Sequence, residues 1–267
     1  MLIGTWNVNS INMRKDHVSK FLQEFSVDVL ALQETKVKTE NFPGLLFKKL
    51  GYEIYHHGGK GRNGIALLSK IKAEDTKIGF EGLKDADFFP DAKERILGIK
   101  ISNEVLKELW IFSVYIPNGG SVNSDYYFYK LQFLWKFRDF LELYFSKDTP
   151  LIIMGDFNVA PEDMDVYDPE ILKETICCTE REKNAFKALL EFGLFDALRL
   201  KYPDKQGIFT WWDYQFFAFQ KNQGMRLDHI LITHPLIDKL EDIWVEKTPR
   251  GWKKPSDHTP LLAKFNF

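Results

Sequence analysis

Apolar residues in this chain fall into short runs, and most of the runs end abruptly on a polar residue. The stretches LIGTWNVN, DVLALQE, GIALLS, RILGIKI, ELWIFSVY, PLIIMGDFN, MRLDHILI and TPLLAKF are all of strand length and bounded by turn formers, so each predicts a strand. Between them the spacing changes to that of a helix. Over residues 13–25, Val18, Phe21, Leu22 and Phe25 share one face; over residues 124–145, Leu131, Leu134, Leu141 and Phe145 do the same. A third helix is predicted from near Glu180 to Gly193, where a glycine closes the last turn. No Gly/Ser-rich linker, repeat or low-complexity tract separates these elements, so the pattern predicts a layered α/β fold in one domain spanning 1–267.

Composition adds a core and removes a partner field. The chain is 45% hydrophobic and 15% aromatic, which is ample for a large core and excludes a disordered chain. Its net charge of −2 supplies no global basic field, so a polyanion would have to be met by a local patch or a bound metal. Candidate patches are Arg14 with Lys15, Lys36 with Lys38, Lys60 with Arg62, and the run from Arg250 to Lys254. The cysteines, Cys177 and Cys178, are adjacent, and neighbours can hardly reach the geometry of an ordinary disulfide. A reducing compartment fits. With no basic leader and no run near the roughly 18 apolar residues of a membrane span, a cytoplasmic monomer is expected.

The polar residues that end these runs are the candidates for chemistry, because a rigid sheet can aim a side chain into a cleft. They are Asn7 with Asn9, Glu34, Tyr115 with Asn118, Asp156 with Asn158, Asp228, and Asp257 with His258. In an extended segment Asp257 and His258 would point to opposite faces, so the histidine needs its orienting carboxylate from elsewhere. Asp228 is isolated in an apolar run and needs a donor, since a buried unpaired carboxylate costs several kcal/mol. The two are therefore expected to pair, leaving Asp257, with Glu34, as a hard oxygen ligand. So few carboxylates suit Mg²⁺, which keeps several waters, better than calcium. Zinc is disfavoured, because neither the cysteines nor His56–His57 have ligands at zinc spacing.

Taken in order, the stretches WNVNS, LALQETK, HHGGKGRNGIALLSK, VYIPNG, GDFNVAPEDMDV, TWWDY, RLDHIL and KPSDHTPL cover nearly the whole chain, and with them the sequence resembles the bacterial exonuclease III family. These are the class II apurinic/apyrimidinic endonucleases of the endonuclease/exonuclease/phosphatase superfamily. The resemblance implies a four-layer α/β sandwich, two mixed β-sheets packed face to face with helices outside. It implies Mg²⁺-dependent cleavage 5′ to abasic sites and 3′-to-5′ exonuclease action on double-stranded DNA, with 3′-phosphatase activity as a related possibility and Mn²⁺ able to substitute. It places Asn7, Glu34 and Asp257 around the metal, Asp156 and Asn158 at the attacking water and phosphate, the Asp228–His258 pair at the scissile phosphate, and Tyr115 and Asn118 on phosphate oxygens. Trp211, Trp212 and Leu227 would line a pocket for an extruded abasic sugar, with Met225 at its rim. Lys60, Arg62, Asn118 and the Gly119–Gly120 loop, with Lys253 and Lys254, would hold the DNA backbone.

Two positions depart from the family pattern: Arg62, where relatives carry an aromatic residue or histidine, and His229, which strand alternation turns away from the site. The alternatives are a DNase-I-like nuclease or phosphoesterase of the same superfamily, and a DNA-binding paralogue without catalysis. The first is disfavoured by Tyr115 standing where those relatives carry a second histidine, the second by the complete set of candidate groups.

Overall fold

The computed structural model describes residues 1–102 and 105–267. Two six-stranded mixed sheets pack face to face. In the first, β1 (Leu2–Asn7) runs parallel to β2 (Val29–Gln33), and β3 (Glu53–His57) and β4 (Ile65–Ser69) complete one side. The second sheet contains β5 (Asp75–Ile78), β6 (Ile96–Ile101), β7 (Leu109–Tyr115), β8 (Leu151–Asp156), β9 (Leu194–Asp196) and β10 (Asp228–Thr233), with β7 parallel to β8. The chain then returns to the first sheet through β11 (Leu240–Val245) and β12 (Leu261–Phe265), which give it the order β11-β12-β1-β2-β4-β3.

The helices are α1 (Ile11–Phe25), α2 (Gly44–Lys48), α3 (Asp125–Tyr144), α4 (Pro169–Leu172), α5 (Glu180–Leu190) and α6 (Ala197–Lys201). Helix α1 buries Val18, Phe21 and Leu22 against the outer face of the first sheet; α3 and α5 cover the outer face of the second. This is the expected four-layer sandwich. The eight apolar runs all form strands. The buried stripe of α3 differs from the predicted one, being carried by Phe133, Leu134, Phe137, Phe140 and Leu141, with Leu131 and Phe145 only partly buried. The third helix ends at Leu190, and Gly193 follows in a turn at φ +115°.

Alternation along the strands places the site. On β1 the inter-sheet face reads Ile3, Thr5, Asn7; on β7, Ile111, Ser113, Tyr115; on β8, Ile152, Met154, Asp156; and on β10, read backwards, Ile232, Ile230, Asp228. One apolar layer thus turns polar at the same end on strand after strand. Register fixes the neighbours: Asp156 stands beside Tyr115 on one side and opposite Asp228 on the other. Gly155 permits this close pairing, because a Cβ there would lie 1.8 Å from the Val114 carbonyl oxygen. Among the described residues, no helix is long and apolar enough to cross a membrane.

Candidate active site

His258 lies at the centre of the polar end. Its Nδ1 is 2.7 Å from Asp228 Oδ2 and its Nε2 is 3.7 Å from Asp156 Oδ2, so a single ring spans two buried carboxylates. It sits three residues before β12, in a segment that bridges to Trp211, rather than within the strand. The segment is sewn down by Ser256 Oγ donating to Asn7 O at 2.7 Å and by Trp6 Nε1 donating to His258 O at 3.3 Å. Asp257 points elsewhere, as expected: it accepts from Asn9 Nδ2 at 3.0 Å and Trp211 Nε1 at 3.1 Å.

Asp156 accepts from Asn7 Nδ2 at 2.8 Å, across the two sheets, and from the Asn158 backbone N–H at 2.9 Å. The same Asn7 amide group donates to Glu34 Oε1 at 2.9 Å, while Asn7 Oδ1 accepts from Asn9 N at 3.0 Å. The N–H groups of Asn7, not its oxygen, thus face the two carboxylates, and the amide bridges Glu34 and Asp156. Glu34 Oε2 is met by Lys36 Nζ at 2.7 Å, and Lys36 also donates to Asn9 Oδ1 at 2.6 Å. Asn9 and Lys36 therefore link Glu34 to Asp257, a connection that the strand-end pattern does not reveal. Asn9, Glu34 and Lys36 all adopt positive φ, strained backbone of the kind concentrated at functional loops.

Charge shapes the titration of these groups. Burial alone would lower the His258 pKa, but Asp228 and then Asp156 outweigh it and raise it to about 10. The ring is thus an imidazolium at neutral pH. Asp156 is pushed up to about 7, chiefly by burial, with His258 opposing and Asp228 adding to the rise. Burial would raise Glu34 as well, but Lys36 and Asn7 hold its carboxyl below the ordinary value. Asp257 is likewise held low, its burial offset by His258 and by the Asn9 and Trp211 hydrogen bonds. Tyr115, buried beside Glu34, stays a neutral phenol with its pKa held well above the ordinary value, and Arg95 braces the ring from behind at 4.8 Å.

The donor set fits a hard divalent cation. Glu34, Asp156, Asp228 and Asp257 crowd one cleft around the cations Lys36 and His258, and Asp228 Oδ1 is buried with no hydrogen-bond partner among the described residues. One oxygen or nitrogen from each of Asp156, Asp228 and His258 lies within 4.8 Å of the others. Carboxylate oxygens of this kind suit a hard divalent cation.

Asn118 and Asn158 converge beside Asp156. Asn118 Nδ2 donates to Asn158 Oδ1 at 3.1 Å, and Asn158 Nδ2 donates to Ile116 O at 2.9 Å. Trp211 and Met225 pack, partly exposed, against a cluster containing Leu227, Ala160, Val166, Cys177 and Cys178. Trp212 does not join them. It is fully buried with Phe209 and Ala218, because consecutive residues of an extended segment face opposite ways, and its expected place in a pocket wall is corrected to core packing. His229 faces outward from the site, as expected, with Nε2 2.9 Å from Val159 O and Nδ1 3.0 Å from Arg226 Nη1. Lys60 lines a surface groove with Lys36 and Lys38, and Lys60, Arg62, Lys253 and Lys254 are all exposed.

The model of the endonuclease/exonuclease/phosphatase family matches residues 4–258. Exodeoxyribonuclease III of Haemophilus influenzae is 32% identical over 268 residues, covering 98% of both chains. An AP endonuclease from Archaeoglobus fulgidus superposes with a TM-score of 0.93 at 36% identity, and a 3′-5′ exonuclease from Neisseria meningitidis with 0.91 at 34%, each covering 100% of both chains. With a cleft built at the polar end of two packed sheets and a sequence match running through it from β1 to His258, the chain belongs to the endonuclease/exonuclease/phosphatase family.

Proposed function

We propose that this protein is a Mg²⁺-dependent DNA repair phosphodiesterase that cleaves duplex DNA 5′ to abasic sites and removes nucleotides from 3′ ends. The observation that carries the reading is the Asp228–His258–Asp156 array, a buried imidazolium held by one carboxylate and facing another. Asp156 accepts a proton from the attacking water as it approaches phosphorus. His258, kept protonated by Asp228, neutralises charge developing on a non-bridging oxygen, where the Tyr115 hydroxyl and the Asn118 and Asn158 amides also donate. Glu34 and Asp257 would hold the cation, with Asn7 orienting Glu34. When bound, that cation supplies Lewis-acid stabilisation of the departing 3′ oxygen. Trp211, Met225 and Leu227 flank the site as the apolar side of an abasic-sugar pocket, and Lys60, beside Lys36 and Lys38, offers a track for the phosphate backbone. Removal of a 3′-phosphate needs the same water attack and the same groups.

One experiment tests the reading. A duplex with a single abasic site, an intact 3′-recessed duplex, a 3′-phosphorylated duplex and a generic phosphomonoester are each incubated with Mg²⁺ and with EDTA. Nicking 5′ to the lesion that EDTA abolishes is expected; hydrolysis of the generic phosphomonoester alone would overturn the proposal.

The pKa shifts set a pH profile. Asp156 must be ionised to act as a base, so kcat/KM should climb as pH rises through about 7. His258 must be protonated, so the rate should decline as pH passes about 10. A rate unchanged from pH 6 to 8 would contradict Asp156 as the base. Glu34→Ala should shift the Mg²⁺ titration upward by at least about 10-fold, the loss of one carboxylate ligand being worth more than the 1.4 kcal/mol that such a factor represents. An unchanged titration would remove Glu34 from the ligand set.

A further inference from the structure

Lys130 lies in the second turn of α3 and is completely buried, a lysine on a face otherwise built from tyrosine, phenylalanine and leucine. Its Nζ donates to the carbonyl oxygen of Asn158 at 2.6 Å and to that of Asn118 at 3.2 Å, and it pairs with the equally buried Glu182 Oε1. Cys177 Sγ stands 3.9 Å away. All three donors of the ammonium are thus directed at oxygen. Glu182 is anchored in turn: it accepts from Cys177 N at 3.0 Å and from Thr179 N and Oγ1 at 3.1 and 2.7 Å, closing the capping box that opens α5.

A buried ion pair is weak support for a fold, since apolar side chains of the same volume do as well or better. The packing of α3 therefore does not account for this one. What it joins does. The two carbonyls belong to the residues whose side-chain amides meet in the active site, Asn118 after β7 and Asn158 after β8. Asn158 has φ +51°, in the left-handed region that asparagine tolerates better than other side chains.

We propose that Lys130, held by Glu182, is a positioning residue that ties the Asn118 and Asn158 peptides together from behind and so fixes the two amides that grip the phosphate. The inference rests on the phosphate-holding role given to these asparagines above. It extends the site to the buried face of α3, with the ammonium 2.6 Å from the backbone of one asparagine.

The test is the double variant Lys130→Met/Glu182→Gln in the full chain. It removes both charges together, so neither is left buried alone; the glutamine oxygen, placed toward Thr179, keeps the acceptor of the capping box, and only the bond from Cys177 N is given up. Lys130→Met alone serves as the comparison, because it strands the glutamate. Near-ultraviolet circular dichroism reports the fold, gel shift in EDTA reports affinity for an abasic duplex, and single-turnover nicking with Mg²⁺ reports chemistry. The expected result is a native-like double variant whose Kd stays within about threefold while its nicking rate falls on the order of 10- to 100-fold, the scale of a small misplacement. A folded double variant that nicks within about threefold of the parent overturns the proposal. So does one that cannot fold at the assay temperature, since the pair would then serve the fold and not the site. Failure of the parent protein to nick the duplex would instead remove the functional reading, so the two failures are distinguishable.

Discussion

Asp156→Ala is expected to lower single-turnover cleavage of an abasic duplex by about 10²- to 10⁴-fold, the range that positioned general bases supply. Alanine is the cleaner substitution. Both Asp156 oxygens accept, one from Asn7 Nδ2 and the other from the Asn158 N–H, so an asparagine would set its own NH₂ against a donor in either orientation. Duplex affinity in EDTA should change little or rise, because a carboxylate that repels phosphate has gone. Loss of affinity equal to the loss of rate would contradict the assignment, since it would mean that Asp156 holds substrate and not the attacking water. The loss should also outlast higher Mg²⁺, which separates it from the Glu34 variant.

His258→Ala should reduce the rate by about 10²- to 10³-fold, the scale observed when a preorganised donor to a developing oxyanion is removed. Its partner gives an independent check. Asp228→Asn keeps the shape at Oδ2 but withdraws the charge that heads the causes raising the His258 pKa, so the descending limb of the pH profile should move down from about 10. A variant whose descending limb stays in place would show that another group limits the rate at high pH. Stability follows the same linkage. Because the folded-state pKa of His258 lies above its ordinary 6.5, the ion pair contributes stability that is complete below pH 6.5 and is lost as pH rises towards 10. The difference in melting temperature between parent and His258→Ala should therefore narrow on going from pH 6 to pH 10; a constant difference would contradict the raised pKa.

The strands that the hydrophobic pattern reveals are the eight interior ones, and the four it misses, β3, β5, β9 and β11, are the four sheet edges. An interior strand has a neighbour on each side and a layer over each face, so its residues read as an unbroken apolar run. An edge strand leaves positions in solvent. The exposed Glu53 in EIYHH and the exposed Asp75 and Thr76 in DTKI break the run that would have betrayed it. The short helices α2, α4 and α6 were missed because four or five residues are too few to establish a helical period.

In the site, the residues that carry charge at the ends of apolar runs were legible, as was the pairing of Asp228 with His258, since an isolated carboxylate in an apolar run demands a donor. The bridge that Asn9 and Lys36 make between Glu34 and Asp257 was not, nor were the roles of Arg95 and Lys130. Each of these rests on a contact between residues distant in sequence, Asn9 with Asp257, Lys36 with Asn9, Arg95 with Asn63, and Lys130 with Asn158 and Glu182, the last two 28 and 52 residues away. A pattern read along one segment cannot report such a meeting.

By itself, then, the sequence determined the interior strands, the covering helices α1, α3 and α5, and the stock of acids and imidazole available for chemistry. These follow from local period and from the cost of burying charge, which act within a few residues. Tertiary structure alone decided that Asn7 offers N–H and not oxygen to the carboxylates, that Trp212 packs in a core while Trp211 reaches Asp257, and that Lys130 stands behind the segments of Asn118 and Asn158. Those outcomes depend on which way a polar group turns when several strands arrive together. That direction is set by hydrogen-bond partners brought in from other parts of the chain, not by the residue's own neighbours.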